Sequence, residues 1–526
     1  MRRGLVAVGV LLLVTAGCLG ITGTDPTDGP GTATSPQASD STTTDTGSPD
    51  TDTTETGPTE KPGTGTPTQS PSPAPPDPEE DRLGWEDGYW YNESVSVDRS
   101  DGLNETELDA VVSRAMARVE EVRKLEFEER VPVTVIAREE FASNQTGEEV
   151  PTRVRLHQNA KWEAMFMINE STNAIETQQS NTAASVGGYY SPGAEEIVIV
   201  SENATAPKMD EITLAQELFH ALQAQKFDAY SQPWYPGRTE EEHNAADAVI
   251  EGDGNYVDYL YEQRCDAGWD CLLPQRNGNG GDVEEINIGL LQVTLQPYSD
   301  GPALVQSLHE TEGWDAVNEL YQNPPASTEQ VIHPEKYGED EPNYPTIEDA
   351  SSGGWEVLEM GDGRINHASF GEGGLAVMMW YPSYVESSRN SPGNVIVPYA
   401  DHLNPDDTGR ELQDIDPYNY DFPVTDGWDG DRLVPYVNGS SAETGETGYV
   451  WEINWDSEDD AAEFVEGYTD LLEYHGAEAV DGNTYHIPEG NGFADAFYVR
   501  QDGDTVTIVN APSVDDLGDV HAPAGE

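Results

Sequence analysis

The sequence predicts an α+β fold held on a long unfolded stalk, and three observations carry that expectation. From Thr22 to Arg82 there is no aromatic residue and no aliphatic larger than alanine, so this stretch cannot bury enough apolar surface to fold. Beyond residue 83, segments with apolar residues at helical spacing are interspersed with short apolar runs of strand type. Near the end, "YVWEINW", "SEDDAAEFVEGYTDLLEYHG" and "DAFYVRQDGDTVTIVNAP" read as strand, helix and hairpin, the hairpin with an Asp-Gly turn. That last set forms a small α+β unit over residues 445–517, with 518–526 as a tail.

Arg2 and Arg3 precede an apolar run from Leu5 to Val14 that is too short to span a bilayer, so residues 1–17 read as an export signal. "TAGC" resembles a lipobox, which would make Cys18 the lipidated first residue after cleavage. A plain signal peptide with an incidental cysteine is the alternative. Residues 18–82 form the Thr/Ser/Pro/Gly/Asp-rich stalk. A flexible chain of that length reaches on the order of 40 Å. With Cys18 set aside, Cys265 and Cys271 in "CDAGWDC" are able to close a short disulfide loop, two free buried thiols being the alternative. Six Asn-x-Ser/Thr sequons, at Asn92, Asn104, Asn144, Asn169, Asn203 and Asn438, fit a glycosylated surface protein.

Within the folded part, Leu108, Val112, Met116, Val119 and Val122 make one helical stripe, with Asn104 as N-cap and Glu107 three residues later. "VPVTVIA" and "EEIVIVSE" read as strands. A helix around Leu214 follows, with Ile212, Ala215, Phe219 and Leu222 toward the core, and a second helix spans residues 245–261. Residues 301–337 give two helices and a proline-marked turn. From 341 to 444 the chain is rich in Gly, Pro and Asp, a connecting region with one helix at "GGLAVMMWY".

The chain carries 25 Lys+Arg against 100 Asp+Glu, a formal charge of −75. Only six of the bases are lysines. Such self-repulsion would open the fold in dilute buffer, but at molar salt the Debye length is roughly 3 Å and the repulsion is screened. Acid excess with scarce lysine therefore points to an extreme halophile. Nucleic acid is excluded as a partner because no basic face is available. An acidic disordered protein is excluded by 11 Trp and 24 Tyr on periodic apolar segments.

Chemistry concentrates in "LAQELFHALQAQ". The zinc-binding pattern His-Glu-x-x-His puts two histidines four apart on one helical face, with the glutamate as general base. Here Glu217 sits at the base position and His220 at the second ligand, but Gln216 replaces the first histidine. Glu251 in "VIEGDGNY" is the candidate third ligand, on the next helix, beside Gly252 and Gly254. A glycine inside a helix costs about 1 kcal/mol, which suggests close backbone approach there. His243 could be proposed as a substitute ligand, but it lies about 12 Å along the helix and roughly 80° round from Glu251. His333 in "VIHPEKY" and Tyr190 in "GGYYSP" are candidates for a cleft, a packed histidine and a packed tyrosine being the alternatives. The ten histidines show no second metal motif, and no phosphate loop or Gly-x-Ser-x-Gly elbow is present.

The parts "QELFHALQAQ", "EGDGNY" and "EGWDAVNELYQNPPASTEQVIHPEKY" resemble those of gluzincin-like bacterial and archaeal lipoproteins. The chain looks closest to a haloarchaeal branch of cell-surface lipoproteins, over most of residues 85–515. That resemblance implies a zincin-like domain over 83–340, with His220 and Glu251 matching zinc ligands and Glu217 the catalytic glutamate. Gln216 is the departure, because an amide oxygen is a much poorer zinc ligand than imidazole. Three functions stand: a degenerate peptidase serving binding or envelope architecture, an active zinc endopeptidase, or a binding lipoprotein unrelated to zincins. The partners implied are the membrane, through a lipid anchor at Cys18, and a peptide or envelope protein.

Overall fold

Local chemistry sets where each element starts, and the elements together fix the motif helix in place. The computed structural model describes residues 75–98, 101–145, 150–208, 210–273, 286–361, 363–388 and 396–522, all within one compact unit. The expected export signal, Cys18 and the expected stalk up to residue 74 lie outside the described residues.

The first long helix, Glu105–Arg123, opens with a capping box in which Asn104 accepts from the Glu107 N–H and Glu107 accepts from the Asn104 N–H at 3.1 Å. Its buried stripe of Val112, Met116 and Val119 packs on the motif helix, Glu211–Phe227. A three-stranded sheet covers the other side. Val133–Ala137 runs parallel to Glu196–Ser201, and Gly188–Ser191 pairs antiparallel with Glu196–Ser201 as an edge strand. Between the first strand and this edge the chain makes helices Arg138–Gln145, Thr152–Ala164 and Ala174–Ser185, which the hydrophobic pattern does not signal. In Thr152–Ala164 the reason is visible. His157, Asn159 and Lys161 are buried alongside Val154, Leu156 and Trp162, so the apolar period is blurred.

The Glu240–Asp266 helix extends beyond its periodic segment at both ends, starting from Thr239, whose side chain accepts from the Glu242 N–H. It packs along Ile288–Glu312, a helix that continues through Pro297 and Pro302. The glycines have the reason the sequence suggests. A Cβ on Gly252 would fall 2.7 Å from the Gly301 carbonyl carbon, so the two backbones touch there. Cys265 and Cys271 are joined as a disulfide with Cα atoms 5.7 Å apart. No helix among the described residues is long and apolar enough to cross a membrane.

The C-terminal part departs from the expected division. Its sheet has seven antiparallel strands in the order Glu356–Val357, Trp428–Val437, Gly448–Trp455, Thr505–Ala511, Ala496–Asp502, Thr484–His486, Glu478–Asp481. Two of these strands come from the region 341–444 expected to be a connector, so the unit begins well before residue 445. The Val514–Val520 helix packs against it, past the expected boundary at 517. The strand "WDGDRLVPYV" reads as loop because it holds breakers. Gly430, at φ +150°, sits where the register shifts, and Asp431 is buried with a structural task. The Asp431 carboxylate accepts from Ser369 Oγ, the Phe370 and Gly371 N–H groups and Trp451 Nε1, at 2.9–3.0 Å. It thereby anchors the start of the Gly371–Ser388 helix. Nor does the expected boundary at 340 separate the cores: Trp162 and Met165–Ile168 share one apolar cluster with Trp380, Trp451, Phe464 and Ile508, while the motif helix packs in a second cluster.

Candidate metal centre

Asp210 caps the motif helix by accepting from the Ile212 N–H at 3.1 Å. Leu214, Leu218, Phe219 and Leu222 are fully buried on the core side, and Gln216, Glu217, His220 and Gln223 are buried as well, so the whole central turn is enclosed. His220 and Glu251, neither exposed to solvent, approach with Nε2 3.4 Å from the carboxylate. Gly254 permits this approach, since a Cβ there would lie 3.3 Å from His220 Cε1 and 3.9 Å from Gln216 Cγ. The same measurement shows that Gln216 and His220 face the same point on the second helix, with Gln216 in the first-ligand position.

Behind His220 runs a buried polar chain. Its Nδ1 lies 2.8 Å from Gln223 Oε1, and Gln223 Nε2 donates to the Ile250 carbonyl and to Tyr321 Oη. Because the Gln223 amide nitrogen is engaged in donating, its oxygen accepts, so Nδ1 carries a hydrogen and Nε2 is turned to Glu251. Tyr321 Oη donates to Asp253 at 2.8 Å, and Asp253 holds Arg123 through bonds of 3.0–3.1 Å. Arg123 itself lies 4.3 Å over the Trp314 ring. Gln223, Tyr321, Asp253 and Arg123 were not singled out by the sequence reading. The available signals were the i, i+3 spacing of His220 and Gln223, and an Asp inside "EGDG".

Charge in this closed space is unusual. Burial pushes the Glu217 carboxyl up to about 8, Glu251 adding to it while His220 and the Tyr190 N–H oppose. Apart from the Tyr190 N–H, no donor is placed against the buried Glu217 carboxyl among the described residues. For His220, burial disfavours the charged ring, but the Glu251 and Glu217 carboxylates outweigh it and raise the pKa to about 10. A metal at Nε2 would have to displace that proton. His243 turns away, its Nδ1 2.8 Å from the Pro236 carbonyl and its Nε2 3.4 Å from Asp247. The Tyr190 ring is buried against Tyr230 rather than lining a cleft, so of this residue only the backbone addresses Glu217.

Two other groups bring three ligand atoms within 4.8 Å of one another: His333, Glu372 and Asp421, and Glu329, Asp340 and Asp456. The second already contains a cation. Lys336 Nζ lies 2.5 Å from Glu329, 3.2 Å from Asp456 and 3.5 Å from Asp340. In the first, His333 Nε2 is 3.1 Å from Glu372 Oε1, so this histidine bonds a carboxylate rather than backbone. Neither group includes His220 or Glu251.

One family model matches the chain, a domain of unknown function (DUF8575), over residues 356–521. No curated protein and no solved structure matches. The matched region holds Glu372 and Asp421, whereas His333 and the whole His220 network precede it.

As a zinc centre the first site falls short. It has one imidazole and one carboxylate in place, a second-sphere partner on Nδ1, and an amide where a third strong ligand is required. These residues do not make up a catalytic zinc set.

Proposed function

We propose that this is an exported, lipid-anchored surface protein of a halophilic archaeon whose gluzincin-like domain no longer turns over substrate and serves binding or envelope architecture. The supporting observation is the geometry around His220. His220 and Glu251 meet at 3.4 Å on adjacent helices while Gln216 faces the same point. Zinc content of the purified chain in multimolar salt, measured beside Gln216→His and His220→Ala, tests this reading. Zinc at the site is the part that His220→Ala removes. Its absence from the native chain and its gain in Gln216→His is the expected result. Near one zinc per chain at this site in the native protein would instead restore an active enzyme to consideration, and zinc at the site in neither would overturn the whole constellation.

A second reading, an active zinc endopeptidase, is favoured by one observation. Glu217 lies against the edge strand Gly188–Ser191, a Cβ on Gly188 falling 3.6 Å from Glu217 Cγ. That strand pairs on one side only among the described residues. An extended peptide adding to it would pass the glutamate.

A further inference from the structure

The His333, Glu372 and Asp421 group differs from an ordinary ion pair in several respects. Glu372 is completely buried, and while Oε1 faces His333, Oε2 has no hydrogen-bond partner among the described residues. A buried carboxylate oxygen left without donor or cation is costly. The two acids and the imidazole present one donor atom each within 4.8 Å of the others. Asp426 adds negative charge close enough to act on Glu372.

Hydrogen bonds outside the cluster place the segments that carry the donors. Glu241 accepts from the Thr328 N–H at 2.7 Å and from its hydroxyl at 2.6 Å, fixing the start of the short Thr328–Ile332 helix that His333 terminates. Asp431 fixes the start of Gly371–Ser388, whose first turn carries Glu372. Gly371, at φ +70°, has no room for a Cβ because one would collide with the Glu241 carboxylate. Asp421 is placed by its own N–H, which donates to Asn419 Oδ1 at 3.1 Å. Ligands whose segments are fixed by hydrogen bonds outside the ligand set are the arrangement a metal site requires.

We propose that His333, Glu372 and Asp421 bind a divalent ion of the zinc or manganese type, at a site separate from His220, and that this ion clasps residues 328–340 to the region 356–521. The donor set selects the class. Two carboxylates suit hard ions and the imidazole suits borderline ones, so calcium and magnesium are disfavoured. Water completes the coordination, since Asp421 is exposed. The ion compensates the buried Glu372 oxygen and joins the helix end carrying His333 to two segments of the C-terminal part.

The test uses the full chain in multimolar salt, stripped with a chelator and titrated with zinc alone and with manganese alone. Wild type, His220→Ala, Glu372→Gln and Asp421→Asn are compared by metal content and thermal unfolding. One ion is expected in wild type and in His220→Ala. Its affinity should fall at least about 100-fold in Glu372→Gln and Asp421→Asn, the upper end of what outer-sphere changes alone cost. Metal should raise Tm in wild type and His220→Ala but not in Asp421→Asn. Asp421 is exposed, so that variant keeps the test valid if Glu372→Gln fails to fold. The proposal is overturned if wild type binds neither ion, or if binding is unchanged in Asp421→Asn. It is equally overturned if the bound ion is lost in His220→Ala and kept in Asp421→Asn. None of these outcomes depends on what Gln216→His does, so this site and the proposed function fail separately.

Discussion

The two clusters contrast in how they are assembled. At His220 the groups lie on two adjacent helices, the supporting chain from Gln223 to Arg123 is complete, and one ligand position holds an amide. At His333 the donors come from a helix end, a helix start and a loop, and all three are strong metal ligands. The difference teaches that residues set at helical spacing are easy to see as a local pattern. A set drawn from three distant segments is invisible in spacing and depends on the whole fold.

The largest expected effect that sharpens this contrast comes from the His220 side. Asp253→Ala strands the Arg123 guanidinium in a fully buried position. It should destabilise the protein by about 3–5 kcal/mol, as breaking buried pairs does. Denaturant unfolding at fixed high salt reads this, and a loss below about 1 kcal/mol would mean that the network supports nothing.

The pH response comes next. In the chelator-treated protein Glu217 has its pKa raised from 4.5 to about 8, so the folded state binds the extra proton. Its contribution is full below about 4.5 and is lost as pH rises through 8. His220, raised from 6.5 to about 10, acts in the same direction, full below 6.5 and lost on the way to 10. Stability should therefore fall across that range, and Glu217→Gln should flatten the lower part of the curve. A rise in stability between pH 5 and 8 in wild type relative to Glu217→Gln would contradict the burial of an uncompensated Glu217.

Gly252→Ala is expected to cost roughly 1–3 kcal/mol by forcing the helix backbones apart at Gly301. Because it acts on scaffold rather than ligands, it should lower Tm and leave metal affinity at the His333 cluster unchanged. Smallest of all, Asp421→Asn in the metal-free protein should stay within about 0.5 kcal/mol of wild type, as exposed substitutions do. A large loss there would show that Asp421 holds structure without any ion.

Much of the first half was legible because single-element physics decides it. The Asn104 and Glu107 pair marks a helix start, "EEIVIVSE" pairs as a central strand, and the close approach at Gly252 follows from a glycine where helices discourage one. The later half was less legible because its elements answer to distant partners. The Trp428–Val437 strand carries Gly430 and Pro435 yet forms, because it lies between two neighbours and Asp431 ties it to the Gly371–Ser388 helix. Tyr190 looked like a cleft residue from its setting in "GGYYSP" and is instead packed on Tyr230. His333 drew attention, but its partners Glu372 and Asp421 lie 39 and 88 positions downstream. No local pattern links them.

The apolar cluster that joins the two halves has a consequence for how the chain comes into being. Met165–Ile168 and Ile508 belong to one apolar cluster although 340 residues separate Ile168 from Ile508. At ribosomal speeds of about 5–20 residues per second, that gap opens for on the order of tens of seconds. During this interval Trp162 and its neighbours lack the strands of the seven-stranded sheet that are made last. This cluster therefore closes only once the last strand has emerged.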